Sequence, residues 1–157
     1  MDGTLTVAAH DFTGFKRANG IPEDRPILEH LGTLTPKAAS TLHEAVAAWE
    51  WSISARAEPA IGAHALLSHL TARGARLGIL TRNRRDIALN TLHVAGLAGF
   101  FDPSVVLGRD EAQHKPSGDG IRIILAAWDA TPQTGVMVGD YAFDVYAGIN
   151  AGVATVF

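Results

Sequence analysis

The stretch Val136-Met137-Val138-Gly139-Asp140-Tyr141-Ala142-Phe143-Asp144 passes from a short apolar run through an acidic pair into a segment with helical spacing. Three more short apolar runs lie at residues 77–80, 105–107 and 153–157. Amphipathic segments with helical spacing separate them. An alternation of this kind predicts βαβ units around a parallel sheet.

The apolar runs carry almost no polar residues, which is typical of strands covered by helices on both faces. Gly74 and Gly96 follow two of the helical segments, at the place where a helix end favours a residue that tolerates positive φ. The sequence therefore predicts an α/β fold with a Rossmann-like parallel sheet flanked by helices.

Residues 6–58 have a different pattern, with helical spacing and no convincing strand. Leu42, Val46 and Trp49 mark one stripe of a long helix whose N-terminus suits Thr35 and Pro36. Shorter helices are expected over 11–18 and 26–31. We therefore predict a core of residues 1–5 plus 59–157, with residues 6–58 as a small, all-helical insertion.

The composition narrows the classes of function. The chain has 157 residues, no cysteine, and a formal net charge of −3, so no broad cationic surface is available for nucleic acid or anionic lipid. The N-terminus lacks the pattern of a secretory signal, and no apolar run approaches the length of a membrane span. We expect a cytoplasmic protein that binds neither nucleic acid nor membranes; its oligomeric state is left open.

Four polar patterns fall at predicted strand ends, where open α/β sheets place their ligands. They are Asp2-Gly3-Thr4-Leu5, then Thr81, then Lys115-Pro116, and finally the acidic pair Asp140 and Asp144. Clustered carboxylates supply hard oxygen ligands for Mg²⁺, and a lysine offsets the negative charge of a phosphate. A further carboxylate can protonate a leaving alcohol. These residue types predict phosphoryl-transfer chemistry.

In this order, the four patterns resemble the motifs of the haloacid dehalogenase-like superfamily, whose first motif is an apolar strand ending in Asp-x-Asp-Gly-Thr. The resemblance covers nearly the whole chain outside residues 6–58. It implies that Asp2 is the general acid/base and that its backbone carbonyl helps to hold the metal ion.

The other motifs imply one role for each matching residue. Thr81 would bind the transferring phosphoryl group, Lys115 would steady the nucleophile and the phosphate, and Asp140 would bind the metal ion. Asp144 would be the second acid of its motif, bound to the metal directly or through water. In full, the resemblance implies the catalytic residues Asp2, Thr81 and Lys115, the Mg²⁺ ligands Asp2, Asp140 and Asp144, and substrate contacts from Gly3, Thr4, Thr81, Arg82, Asn83 and Lys115. For Arg82, the alternative is a solvated position at the start of the next helix.

The helical insertion resembles the small cap that many members carry between the first and second motifs. The loop Gly108-Arg109-Asp110 is similar to the phosphoglycolate phosphatase and β-phosphoglucomutase branch. The resemblance implies a magnesium-dependent phosphatase that acts on a small phosphate monoester through an aspartyl-phosphate intermediate. Dehalogenase or phosphomutase chemistry stays open on the same scaffold, because function depends on the site and not on the fold.

The family pattern places its nucleophilic aspartate two positions before Asp2, which is outside the sequence. The apolar strand that leads to this aspartate is outside it as well. We expect the native chain to begin upstream with that strand, and residues beyond Phe157 are also expected. The alternative is a catalytically silent binding or regulatory protein with the same fold.

A receiver domain of a response regulator also gathers aspartates, a threonine and a lysine. In receivers the lysine comes last in sequence, whereas Lys115 precedes Asp140 and Asp144. The order of the motifs therefore favours the haloacid dehalogenase-like pattern.

Overall fold

The computed structural model describes all residues, 1–157, and divides them into two compact units. The larger unit contains residues 1–8 and 54–157, and the smaller one contains residues 9–53. None of the helices has the length and the apolar composition needed to cross a bilayer.

The smaller unit is entirely helical, as the sequence predicts. Its helices are α1 (Phe12–Ala18), α2 (Ile27–Leu31) and α3 (Pro36–Ser54), of which the last ends at Ser54, where the second segment of the larger unit begins. Asp11 caps α1, because its carboxylate accepts a hydrogen bond from the Gly14 amide at 2.8 Å. The buried apolar core of this unit consists of Ile21, Ile27, Leu31, Leu42 and Val46.

The larger unit alternates strands and helices after residue 62. Gly74 and Gly96 have φ of +80° and +71°, which confirms the predicted helix ends. The elements are α4 (Ala63–Ala72), β1 (Ile79–Leu80), α5 (Arg85–Val94), β2 (Val106–Leu107), α6 (Asp119–Ala127), β3 (Val136–Val138), α7 (Ala142–Ala151) and β4 (Ala154–Val156), with 3₁₀ turns at Ala98–Phe100, Pro103–Val105 and Pro132–Thr134.

The four strands form two separate parallel pairs, β1 with β2 and β3 with β4. Ile79 is opposite Val106 in the first pair, and Val136 is opposite Ala154 in the second. The α/β class and the parallel pairing follow the prediction. The difference is that no ladder joins β1 to β3, so there are two small sheets where the sequence predicts one.

The two pairs also differ in burial. Both residues of β1 and both of β2 are buried, as predicted for strands covered on both faces. In the second pair Val136, Val138 and Val156 are 60%, 52% and 53% exposed, so the prediction of double-sided burial is wrong there. The physical reason is that α7 packs on β3 and β4 from one side, where Met137 is partly buried, while the two valines of β3 point the other way.

The N-terminal residues form a tight turn that pairs with residues 58–60. The Leu5 amide donates to the Met1 carbonyl at 2.7 Å, and Thr6 forms an antiparallel bridge with Pro59. Met1 and Leu5 pack against the core cluster that surrounds β1 and α5. The turn is thereby held beside the C-terminal ends of the strands.

Candidate active site

The N-terminal turn presents its polar side chains on a closely held backbone. The Met1 carbonyl accepts hydrogen bonds from the Leu5 amide at 2.7 Å and from the Thr6 amide at 3.2 Å. Gly3 has φ of +79°, a conformation that side chains with a Cβ rarely adopt. The glycine of the first motif is therefore required by the shape of the turn.

Asp2 is half-buried, and both of its carboxylate oxygens are held by protein donors. The Thr6 hydroxyl donates to Oδ1 at 3.2 Å, and the side-chain amide of Asn83 donates to Oδ2 at 3.0 Å. Thr6 is almost completely buried, so its hydroxyl is a fixed donor. The orientation of the Asp2 carboxylate is thus determined from two sides.

Asp140 lies against the same turn. The Thr4 hydroxyl donates to its Oδ1 at 2.7 Å, although 136 residues separate the two in sequence. A Cβ on Gly3 would overlap the Asp140 carboxylate. The absence of a side chain at Gly3 therefore allows the first and fourth motifs to approach each other.

Lys115 and Asp144 form a buried ion pair. Their side chains are only 8% and 7% exposed, and the Lys115 ammonium donates to Oδ1 of Asp144. Oδ2 of Asp144 accepts the backbone amide of Tyr141 at 3.1 Å, which caps α7. Both oxygens of Asp144 are thus engaged by the protein.

The amino group of Met1 is influenced by the charged residues of the first, third and fourth motifs. Burial lowers the pKa of this amino group below its ordinary value of 8.0, and the charge of Lys115 lowers it further. The carboxylates of Asp2, Asp144 and Asp140 act in the opposite direction. Hydrogen bonds tie the first motif to Asn83 and Asp140, and the ion pair of Lys115 with Asp144 ties the third motif to the fourth.

Thr81 is buried at the end of β1, where its backbone amide donates to the Leu107 carbonyl at 2.9 Å. Its hydroxyl accepts the Asn83 amide at 3.2 Å, which connects it to the residue that holds Asp2. Arg82 is half-buried: it donates to the Lys115 carbonyl at 3.3 Å, and its guanidinium lies 4.7 Å from the Phe143 ring centre. The loop after β1 is therefore tied to the third and fourth motifs.

The contacts made by Asn83 and Thr6 are the part of the site that the sequence did not indicate. Asn83 and Asp2 are 81 residues apart, and Thr6 lies in a segment without a motif of its own. A hydrogen bond between distant residues leaves no local signal in a single sequence. The catalytic, substrate-binding and metal-binding roles of the predicted residues stay predictions.

Comparison of the sequence with known protein families identifies the family of this chain. A sequence profile described as haloacid dehalogenase-like hydrolase matches residues 16–157. The chain belongs to the haloacid dehalogenase-like hydrolases. The resemblance predicted from the four motifs is thereby confirmed.

Other proteins similar to this haloacid dehalogenase-like hydrolase include pyrophosphatase PpaX of Bacillus velezensis. It is 39% identical over 90 residues, which are 57% of this chain and only 41% of that protein. A solved Bacteroides fragilis protein, assigned as a haloacid dehalogenase-like hydrolase, has a TM-score of 0.81 at 19% identity and covers 99% of this chain and 82% of its own. A Lactobacillus plantarum protein assigned as a phosphoglycolate phosphatase has a TM-score of 0.72 at 22% identity, with 99% and 81% covered. The likeness of fold extends to the predicted branch.

The two carboxylates of the fourth motif of this haloacid dehalogenase-like hydrolase differ in their accessibility to a metal ion such as Mg²⁺. No group of three or more His, Asp or Glu side chains is arranged to hold a metal ion. Mg²⁺ usually binds one or two carboxylates and completes its shell with water and phosphate. Asp140 is exposed beside the turn of Asp2, whereas Asp144 is buried and engaged by Lys115 and the Tyr141 amide.

A substitution of Gly3 tests the close approach of the first and fourth motifs. Gly3→Ala is expected to lower the free energy of unfolding by about 1–3 kcal/mol from its left-handed backbone alone, and to displace the Asp140 carboxylate as well. Gly96→Ala is the matched control, because Gly96 has φ of +71° with open space around its missing Cβ. Urea denaturation should show a larger loss for Gly3→Ala, and equal losses would contradict the packing argument.

Proposed function

We propose that this protein is a magnesium-dependent phosphatase that hydrolyses a small phosphate monoester through an aspartyl-phosphate intermediate. The observation that carries the proposal is the contact between distant motifs: the Thr4 hydroxyl donates to Asp140 at 2.7 Å, and the Asn83 amide donates to Asp2 at 3.0 Å. In the family pattern, the nucleophilic aspartate is the residue joined to the Met1 nitrogen. Its carboxylate would then enter a site that already contains one cation and three carboxylates.

In this mechanism Asp2 acts first as the general acid and then as the general base. An aspartate at the nucleophile position of the family pattern would attack phosphorus, the ester P–O bond would break, and protonated Asp2 would give its proton to the departing alkoxide. Asp2 then takes a proton from the water that attacks the aspartyl phosphate, which releases inorganic phosphate and regenerates the nucleophile. The hydrogen bonds from Thr6 and Asn83 keep the Asp2 carboxylate in one orientation for both transfers.

The remaining residues stabilise negative charge. Thr81 would donate to the transferring phosphoryl group, and the ammonium of Lys115 would offset the charge on the nucleophile and the phosphate. Asp140 and the Asp2 carbonyl would hold Mg²⁺, which neutralises phosphate oxygens when it is bound. Substrate contacts from Gly3, Thr4, Arg82 and Asn83 belong to the same proposal.

A second candidate substrate is inorganic pyrophosphate. It is favoured by the 39% identity over 90 residues to pyrophosphatase PpaX. The leaving group would then be phosphate and not an alcohol. A comparison of turnover of pyrophosphate with that of small sugar and carboxylate phosphate esters decides between the two substrate classes.

Turnover of p-nitrophenyl phosphate with Mg²⁺ tests the proposal. The 157-residue chain is compared with a form lengthened upstream by an apolar strand that ends in aspartate before Met1. We expect turnover in the lengthened form and none in the shorter one, with loss of turnover when Mg²⁺ is chelated. The matched control carries asparagine in place of the added aspartate and should be inactive.

The rival is a catalytically silent protein that keeps the fold. It predicts no turnover of any phosphate ester by the lengthened form, even when circular dichroism shows that this form is folded. Equal turnover in the aspartate and asparagine forms would instead reject the covalent intermediate while leaving a hydrolase in place.

A further inference from the structure

Asn83 connects the loop after β1 to two parts of the chain that are distant in sequence, Asp2 and Arg109. Its side-chain amide donates to Oδ2 of Asp2 at 3.0 Å, and its backbone amide donates to the Thr81 hydroxyl at 3.2 Å. Its carbonyl accepts the backbone amide of Arg109 at 3.0 Å. The side-chain amide, the backbone amide and the backbone carbonyl of Asn83 thus each have a partner.

The backbone of Asn83 also packs against the loop that follows β2. A Cβ on Gly108 would lie 2.7 Å from the Asn83 carbonyl oxygen, which is too close for any side chain. The guanidinium of Arg109 adds a hydrogen bond to the neighbouring Arg82 carbonyl at 3.2 Å. The backbone of Asn83 is therefore held in place by the Gly108–Arg109 loop, and this fixes the position from which its side-chain amide donates.

The side-chain amide of Asn83 donates to the Asp2 carboxylate, whose orientation is important for proton transfer. A general acid must meet the leaving oxygen within hydrogen-bonding distance, and small misplacements cost large factors in rate. Thr6 holds Oδ1 of Asp2 at 3.2 Å, so removal of Asn83 would leave the carboxylate held at one oxygen only.

We propose that Asn83 is a positioning residue that orients the Asp2 carboxylate for protonation of the leaving group, a role beside the substrate contact expected from the sequence. This inference rests on the proposed phosphatase function. In this role the side-chain amide of Asn83 donates to the Asp2 carboxylate. The inference predicts that removal of Asn83 lowers kcat/KM most for esters whose leaving group needs a proton.

The kinetic test uses two esters and whichever form of the protein turns over p-nitrophenyl phosphate. Asn83→Ala is expected to lower kcat/KM for an alkyl phosphate by about 10- to 100-fold, as for a lost hydrogen bond to a charged group. The loss for p-nitrophenyl phosphate should be much smaller, because p-nitrophenolate departs without a proton. Equal losses for the two esters would overturn the inference.

Two further variants separate donation from shape. Asn83→Asp has the same size and no amide donor, so it should behave like Asn83→Ala; full activity in Asn83→Asp would overturn the inference. Asn83→Ala should also have little added effect on the alkyl phosphate in an Asp2→Asn background. The matched control is Asn90→Ala, which removes an amide that donates to the Ser54 hydroxyl at 2.9 Å and should leave the ratio of the two esters unchanged.

A spectroscopic arm makes failure of the inference distinguishable from failure of the proposed function. In the ¹⁵N-labelled 157-residue chain, Asp2→Asn should move the side-chain amide signals of Asn83 and leave those of Asn90 in place. Signals of Asn83 that stay unchanged would refute the contact itself. Absence of turnover of both esters in every form would refute the phosphatase, whatever the amide signals show.

Discussion

Replacement of Lys115 by alanine is expected to lower the free energy of unfolding by about 3–5 kcal/mol. The reason is that Lys115 and Asp144 are an ion pair with side chains only 8% and 7% exposed. The variant would leave the Asp144 carboxylate buried without its cation. A loss of this size is a large part of a typical stability of about 5–15 kcal/mol.

The expected loss comes from an uncompensated charge, and a double variant can test that cause. Lys115→Met with Asp144→Asn keeps the side-chain sizes, removes both charges and retains an oxygen that can accept the Tyr141 amide. We expect this pair to recover most of the stability lost in Lys115→Ala. Urea denaturation of the wild type, Lys115→Met, Asp144→Asn and the double variant measures the coupling between the two sites.

An exposed lysine provides the control for the first prediction. Lys37 lies at the start of α3 and is exposed, so Lys37→Ala should change the free energy of unfolding by less than about 0.5 kcal/mol. If Lys115→Ala behaved like Lys37→Ala, the buried ion pair would contribute nothing to folding. Because Lys115 supports the fold, its activity must be measured under conditions where each variant is folded.

Asp2→Asn is expected to lower kcat/KM for an alkyl phosphate by about 10²- to 10⁴-fold in the form that is active. The variant keeps the size of the side chain and an oxygen that can accept from Asn83, and it removes the proton that the leaving group needs. Steady-state kinetics with an alkyl phosphate measures the effect. Thermal unfolding should show that the variant stays folded.

Asp24→Asn is the matched control for Asp2→Asn, because Asp24 is an exposed aspartate of the helical unit. It should leave kcat/KM unchanged. Full activity of Asp2→Asn on the alkyl phosphate would remove Asp2 from the role of general acid. A loss that appears only as a higher KM would point to binding and not to proton transfer.

Much of the fold follows from local patterns that a single sequence carries. The stripe of Leu42, Val46 and Trp49 belongs to α3, and the apolar run Val136–Val138 forms β3 with the same bounds. Gly74 and Gly96 have the positive φ expected of helix ends. These features depend on the spacing of side chains along one element, and spacing is visible in the sequence.

The burial of the strands could not be predicted in the same way. Val106 in β2 is completely buried and Val136 in β3 is 60% exposed, although both lie in short apolar runs. The two valines differ in burial because different helices cover the faces of the two strands. That is a property of packing between elements and leaves no mark on the run itself.

The sequence by itself determined the α/β class, the helical unit between the first two motifs, and the family through Asp2, Thr81, Lys115 and Asp140 in their order. Tertiary structure alone decided that Lys115 pairs with Asp144, and that Asn83 donates to Asp2 across 81 residues. The physical reason is range: helix and strand propensities act between neighbours in the chain. An ion pair or a hydrogen bond between distant residues forms only once packing between elements has brought both partners together.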